Sequence, residues 1–156
     1  MDVIDKRPPT LTDVPNLWGF DGGFRDIYVR GTRLEDWRRF VVLAMSYPYE
    51  YDGETAPLPD VESVLRDDQS HRLLVHVGNA ELSCNFFDVS EIEIDIVPHQ
   101  VEAEKDHDGI LQFIAKLARA VGKPVILTPE NEIQTPIVSF DPSNNAWRWK
   151  ADWSPL

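Results

Sequence analysis

The sequence predicts an α+β domain: an antiparallel meander at about residues 72–97, two long helices packed on one face of the sheet, and a C-terminal strand pair. Three observations predict it. Arg72–Val97 alternates apolar and polar residues across three runs. Two amphipathic stretches, one after Thr32 and one before Gly122, repeat apolar residues at helical spacing. Two short runs, Pro136–Phe140 and Ala146–Lys150, bracket an Asp-Pro-Ser-Asn-Asn turn.

The meander is the most explicit element. Gly78-Asn79 separates Arg72–Val77 from Ala80–Phe87, and such a two-residue turn requires positive φ. Centring the hairpin there sets Val77 against Ala80, Val75 against Leu82 and Leu73 against Cys84. A second turn at Asp88-Val89-Ser90 sets Phe86 against Ile92, Cys84 against Ile94 and Leu82 against Ile96. The apolar faces of all three strands then coincide, and a one-residue slip would destroy that. Burial of each large side chain contributes about 1.5–3 kcal/mol, so this face is expected at the heart of the core.

The same register places Glu91, Glu93 and Asp95 on the opposite face, with Arg72, His76, Glu81, Ser83 and Asn85 beside them. Carboxylates two residues apart on a strand sit about 7 Å apart. An antiparallel sheet with one wet face accounts for this pattern. A docking surface or a weak cation site accounts for it as well, because like charges on neighbouring strands repel unless something positive meets them.

In chain order, residues 1–17, with Pro8, Pro9 and Pro15, are expected to be a flexible lead-in without regular structure. Residues 18–150 form one domain, opened by Trp18-Gly-Phe20, and residues 151–156 a tail. Phe24–Arg30 reads as a first strand with Phe24, Ile27 and Val29 as its apolar members. Thr32-Arg-Leu-Glu35 reads as a capping box for a helix carrying Trp37, Phe40, Val41, Ala44 and Met45. Tyr47, Tyr49 and Tyr51 follow on a short extended piece ending in Asp52-Gly53. They suit recognition on an exposed loop, or packing under the helix end. Asp60 caps a short helix with Val61, Val64 and Leu65 inward. After the meander, His99, Glu102, His107 and Asp108 match no tight metal-ligand spacing and read as a polar loop and helix cap. A second helix, from about Asp108 to Val121, stops at Gly122-Lys123-Pro124. Val125–Thr128 is a short, continuously apolar strand. Trp147 and Trp149 share one face of the last strand, where they close the core.

The chain carries 27 acidic and 15 basic residues, a net charge of −12. The excess is concentrated: residues 81–108 alone hold nine acids and one lysine. Such a field disfavours nucleic acid and anionic membranes and favours a basic protein partner. Cys84, the sole cysteine, falls on an apolar face and reads as a buried thiol. The acidic start and the absence of a long apolar run give neither a secretory signal nor a membrane span, so a reducing cytoplasm is the expected location.

The runs Asp21-Gly-Gly-Phe-Arg-Asp-Ile-Tyr28, Cys84-Asn-Phe-Phe87, Glu91-Ile-Glu-Ile-Asp95 and Gly122-Lys-Pro-Val-Ile-Leu-Thr-Pro-Glu-Asn131 resemble a family of uncharacterised bacterial proteins over most of residues 18–142. In size, charge and fold class the chain is similar in character to small acidic immunity proteins of bacterial toxin systems. That likeness carries over no functional residue.

The expected function is therefore an acidic protein-binding module, an immunity or inhibitor protein that occludes a basic partner. Glu81, Glu91, Glu93 and Asp95 would meet the partner's charge, and Tyr47, Tyr49 and Tyr51 would anchor it. No catalytic residue, cofactor or metal ligand is assigned, and the oligomeric state is open. Two alternatives stand beside this reading. One is a structural or oligomerisation domain. The other is a small-molecule or cation-dependent enzyme using Glu93, Asp95, His76 and Glu81, with His76 opposite Glu81 as an acid–base pair.

Overall fold

The computed structural model describes residues 2–19 and 21–155. Met1, Phe20 and Leu156, which fall in the lead-in, in the Trp18–Phe20 opening and in the tail, lie outside the described residues. Among the described residues, the chain is a mixed α/β protein with one nine-stranded, wholly antiparallel sheet and three α-helices. In sequence order the strands are β1 (Asp2–Asp5), β2 (Arg25–Arg30), β3 (Tyr49–Tyr51), β4 (Arg72–Val77), β5 (Ala80–Asn85), β6 (Glu91–Ile96), β7 (Val125–Pro129), β8 (Val138–Asp141) and β9 (Ala146–Lys150). The helices are α1 (Leu34–Ala44), α2 (Val61–Arg66) and α3 (Glu104–Val121). Across the sheet the order is β1-β9-β8-β7-β2-β6-β5-β4-β3.

The meander has the register that its alternation predicts. Val77 lies opposite Ala80, Val75 opposite Leu82, Leu73 opposite Cys84, and Cys84 opposite Ile94. Gly78 adopts φ +60° at the hairpin turn. All of these apolar residues are buried, together with Ile92 and Ile96. The β8–β9 pair forms as expected, and Trp147 and Trp149 are buried in the core. The β6-to-β2 step is a long-range pairing: Ile27 lies opposite Ile94 and Val29 opposite Ile92. β7 then covers the other side of β2, with Leu127 opposite Ile27.

The eighteen-residue α3 touches α1, β4, β7 and β8. Its apolar stripe of Ile110, Leu111, Phe113, Ile114, Leu117, Ala118 and Val121 is buried. It begins at Glu104, four residues before the sequence reading. The reason is Asp106, which is buried and accepts hydrogen bonds from the backbone N–H of Ala103 at 3.2 Å and of Asn79 at 2.9 Å. One carboxylate thus caps the helix and ties down the hairpin turn, and a Cβ on Gly78 would collide with it.

Three other expectations are corrected. Thr32 does not cap α1: its hydroxyl donates to the carbonyl of Val89, and Asp36 instead accepts the N–H of Arg33. Phe24 is 41% exposed, and Arg25 takes the inward position on β2 beside Ile27 and Val29. The lead-in contains regular structure, because β1 pairs with β9 and carries Asp2 to Asp5 into the sheet. Val14 and Leu17 farther along it are buried.

Arg25 explains how both chain ends are held. Its buried guanidinium donates to the carbonyls of Leu17 at 2.6 Å and Gly19 at 3.0 Å, and to both oxygens of Asp21 at 3.2 Å. Trp153, in the expected tail, stacks with its ring centroid 5.0 Å from that guanidinium. His107 performs a similar service. Its Nδ1 accepts the Trp18 indole N–H at 3.0 Å, which leaves Nε2–H to donate to the carbonyl of Pro9 at 2.8 Å. Among the described residues, no helix is long and apolar enough to cross a membrane.

Candidate functional site

The acidic residues of the meander's polar face divide into two groups that the sequence could not separate. The first centres on β2 and β6. Their pairing sets Asp26 directly opposite Asp95, Tyr28 opposite Glu93 and Arg30 opposite Glu91. Carboxylate oxygens of Asp26, Glu93 and Asp95 all lie within 4.8 Å of one another. Asp26 was not among the expected site residues, because only the β2–β6 pairing, some 65 residues apart in sequence, brings it there.

Asp26 is only 1% exposed, although it sits on the polar face. Its Oδ2 accepts the Tyr28 hydroxyl at 3.0 Å and the backbone N–H of Asn131 at 2.7 Å. Asn131 reaches this position with φ +59° on the turn after β7. Oδ1 is buried and accepts no N–H or hydroxyl among the described residues. Asp95 lies within hydrogen-bond reach of Asp26, a bond that exists only when one of the two carboxyls carries a proton. Burial first, then this contact and the charges of Asp26, Glu93 and Glu130, push the Asp95 carboxyl up to about 7. Burial, with Asp26 and Glu91 adding to it, also raises Glu93. The Tyr28 phenol is raised by burial and by the adjacent Asp26.

Asp95 also forms part of the wall of an open cleft of about 310 Å³, with Glu81, Ser83, Asn85, Arg72, Phe24 and Gln100 around it. The cleft gives solvent and solutes a route to the acidic face. Arg72 donates to the Ser83 hydroxyl at 2.8 Å and does not pair with Asp95. Among the described residues no lysine or arginine nitrogen lies within 4.0 Å of Glu91, Glu93 or Asp95. Many other acids have such a partner: Asp13 with Arg7, Asp21 with Arg25, Asp36 with Lys123, Asp60 with Arg38.

Glu81 belongs to the second group. His76 bonds the Glu50 carboxylate through Nε2 at 3.0 Å, and its Nδ1 is 3.9 Å from Glu81. Glu81 also accepts the Gln100 amide at 3.1 Å. The His76–Glu81 opposition occurs as expected, but the nearer carboxylate is Glu50, brought in by β3. The four residues drawn together as an enzyme site therefore fall into two separate clusters, Glu50–His76–Glu81 and Asp26–Glu93–Asp95.

The tyrosines are half-buried and packed against the core. Tyr47 lies edge-on to Phe113 with ring centroids 5.4 Å apart. Tyr49 donates to the carbonyl of Thr55 at 3.2 Å. Tyr51 stacks on His71 at 5.7 Å, and both nitrogens of His71 bond carboxylates, Asp52 at 2.6 Å and Asp67 at 2.7 Å. Those two bonds raise the His71 pKa and favour its imidazolium form. The prominent exposed aromatic is instead Phe87, 73% exposed at the end of the meander's second run. Cys84 is buried and its thiol is pushed up by desolvation, the environment of an inert core thiol. Of the four polar residues that follow the meander, His107 is sequestered by Trp18 and Pro9, whereas His99, Glu102 and Asp108 are exposed.

No family model, curated protein or solved structure matches the chain. The function is therefore argued from the site alone.

Proposed function

We propose that the chain is an acidic protein-binding module, of the immunity or inhibitor kind, that occludes a basic partner with the polar face of its sheet. In this reading α1 and α3 back the sheet on its apolar face and leave the other face to the partner. The observation that carries the reading is that, among the described residues, no lysine or arginine nitrogen comes within ion-pair distance of Glu91, Glu93 or Asp95, even with Arg30 opposite Glu91 in register, on a chain that pairs so many of its other carboxylates. Half-buried carboxylates without an ion-pair partner on one face steer a cationic partner and favour its encounter. The cleft beside Asp95, with Phe24 on its wall, would receive a lysine or arginine side chain. The half-buried tyrosines support the strand edge, and their anchoring role is confined to whatever ring surface remains open.

The test is comparative capture from host lysate with wild-type protein and the double variant Glu81→Lys/Glu91→Lys, which leaves Asp26, Glu93 and Asp95 intact. Wild type is expected to retain a basic protein at low salt and shed it as salt rises, and the variant to retain it at least about tenfold less. Equal retention by a variant with unchanged circular dichroism would remove this face from the interaction.

A further inference from the structure

We propose that Asp26, Glu93 and Asp95 form a binding site for a hard divalent cation of the magnesium, manganese or calcium class. This goes beyond the partner-binding reading and does not need it, since the ion would bind the isolated chain.

The argument starts from the sheet. β2 and β6 are interior strands, and cross-strand neighbours of like charge destabilise such a pairing. Yet Asp26 and Asp95 are direct partners in register, and Glu93 joins them from two residues away. Burial compounds the cost, because a buried carboxylate oxygen needs a compensating partner. Asp26 Oδ1 has none, although the neighbouring Oδ2 accepts two hydrogen bonds. Tyr28 and Asn131 thus fix the carboxylate and leave one oxygen without a donor whenever Asp95 is ionised.

The spacing and donor type then select the occupant. Oxygens on opposite sides of an ion are separated by about 4.2 Å at magnesium distances and about 4.8 Å at calcium distances. Three carboxylate oxygens within 4.8 Å of one another can therefore ring such an ion, with water completing its coordination. No nitrogen or sulfur donor belongs to the group, so zinc and copper are poorly matched. A divalent charge would offset most of the repulsion among the three carboxylates. The raised pKa values of Glu93 and Asp95 report the same unrelieved repulsion and burial. The cleft wall at Asp95 supplies an entry path for a hydrated ion. The Glu50–His76–Glu81 cluster lacks a comparable unpaired buried atom, since His76 already bonds Glu50 and Gln100 bonds Glu81.

The experiment is a manganese titration of the full chain at pH 7.5, followed by calorimetry and by paramagnetic broadening of assigned backbone amide signals. The expected result is saturable, one-site binding, with broadening centred on Asp26, Glu93 and Asp95. Asp26→Asn is expected to weaken binding at least about tenfold, since even loss of a residue that merely orients a ligand costs that much. Glu93→Gln is a second variant should Asp26→Asn fail to fold, and the wild-type broadening map requires no variant. No saturation at millimolar manganese would overturn the proposal and leave a proton shared between Asp26 and Asp95. Broadening centred on Glu50, His76 and Glu81, or an Asp26→Asn variant that binds like wild type, would overturn it equally.

Discussion

The two faces of the β2–β6 pair are built from the same twelve residues and solve opposite problems. On one face Arg25, Ile27 and Val29 meet Ile96, Ile94 and Ile92. Every one of those side chains is buried, and the one charged group among them has its hydrogen bonds met by Leu17, Gly19 and Asp21. On the other face Asp26, Tyr28 and Arg30 meet Asp95, Glu93 and Glu91. There a buried oxygen is left without a donor and two carboxylates share a register position. A charge can be buried cheaply when hydrogen-bond partners surround it, as acceptors surround Arg25; the same strand pair shows both the satisfied and the unsatisfied case. Sheets optimised only for stability avoid the second arrangement, which is why the polar face is read as a site.

The strongest way to break this contrast is at Arg25. Arg25→Ala removes the hub that holds Leu17, Gly19 and Asp21 and stacks on Trp153. It also leaves Asp21 and two carbonyls without their donor. The expected loss is about 3–5 kcal/mol of unfolding free energy, measured by urea denaturation. A loss below about 1 kcal/mol would mean that the chain ends are not held by this group. On the polar face the comparable test is Tyr28→Phe. It removes the hydroxyl that donates to Asp26 Oδ2 at 3.0 Å and lies 3.4 Å from Glu93. A hydrogen bond to a charged group contributes about 1.5–3 kcal/mol, and Asn131 keeps one donor on the same oxygen, so the expected cost is near the lower end. An unchanged midpoint would show that the Tyr28 hydroxyl adds no net stability beyond the Asn131 N–H on the same oxygen.

How much of this was legible in the sequence follows the distance over which each feature is encoded. The meander register was readable because alternation and a Gly-Asn turn are local, and every predicted cross-strand pair checked by the structure falls in place. The strand pair β8–β9 and the Gly122 stop of α3 were readable for the same reason. The Asp60 cap was too, with its side chain accepting the N–H of Glu62. Asp26 was invisible, because its significance lies in its opposition to Asp95, and no local pattern specifies that β6 pairs with β2. Glu50 was missed beside His76 because β3 is only three residues long. The prolines of the first seventeen residues concealed β1, since four residues before the first proline suffice for an edge strand. Phe24 and Arg25 were exchanged because hydropathy assigns a phenylalanine inward, whereas the carbonyl acceptors around position 25 reward an arginine there.

The smallest expected effect separates the explanations of the polar face most sharply. In chelator, Asp95→Asn removes a like charge opposite Asp26 and supplies an amide N–H that can satisfy the unpaired oxygen. Cross-strand charge pairs act on a scale of about 0.2–1 kcal/mol, so the variant should be more stable than wild type by about 0.5–1 kcal/mol above pH 7. The pH dependence fixes the cause. Asp95 titrates at about 7 when folded, above its ordinary value of 3.8, so between those limits the native state binds more protons than the unfolded chain. Its contribution to wild-type stability therefore falls as pH rises from about 4 to about 7 and is level beyond. At low pH the protonated carboxyl can donate to Asp26 as the asparagine does, and the advantage of the variant should vanish there. The difference between the two proteins isolates this group from aspartates such as Asp13 and Asp106, whose lowered pKa values act in the opposite sense. Added manganese should then reverse the order, because wild type keeps three carboxylates for the ion and the variant keeps two. A variant less stable than wild type in chelator at pH 8 would show that Asp95 has a partner there stronger than its repulsion from Asp26.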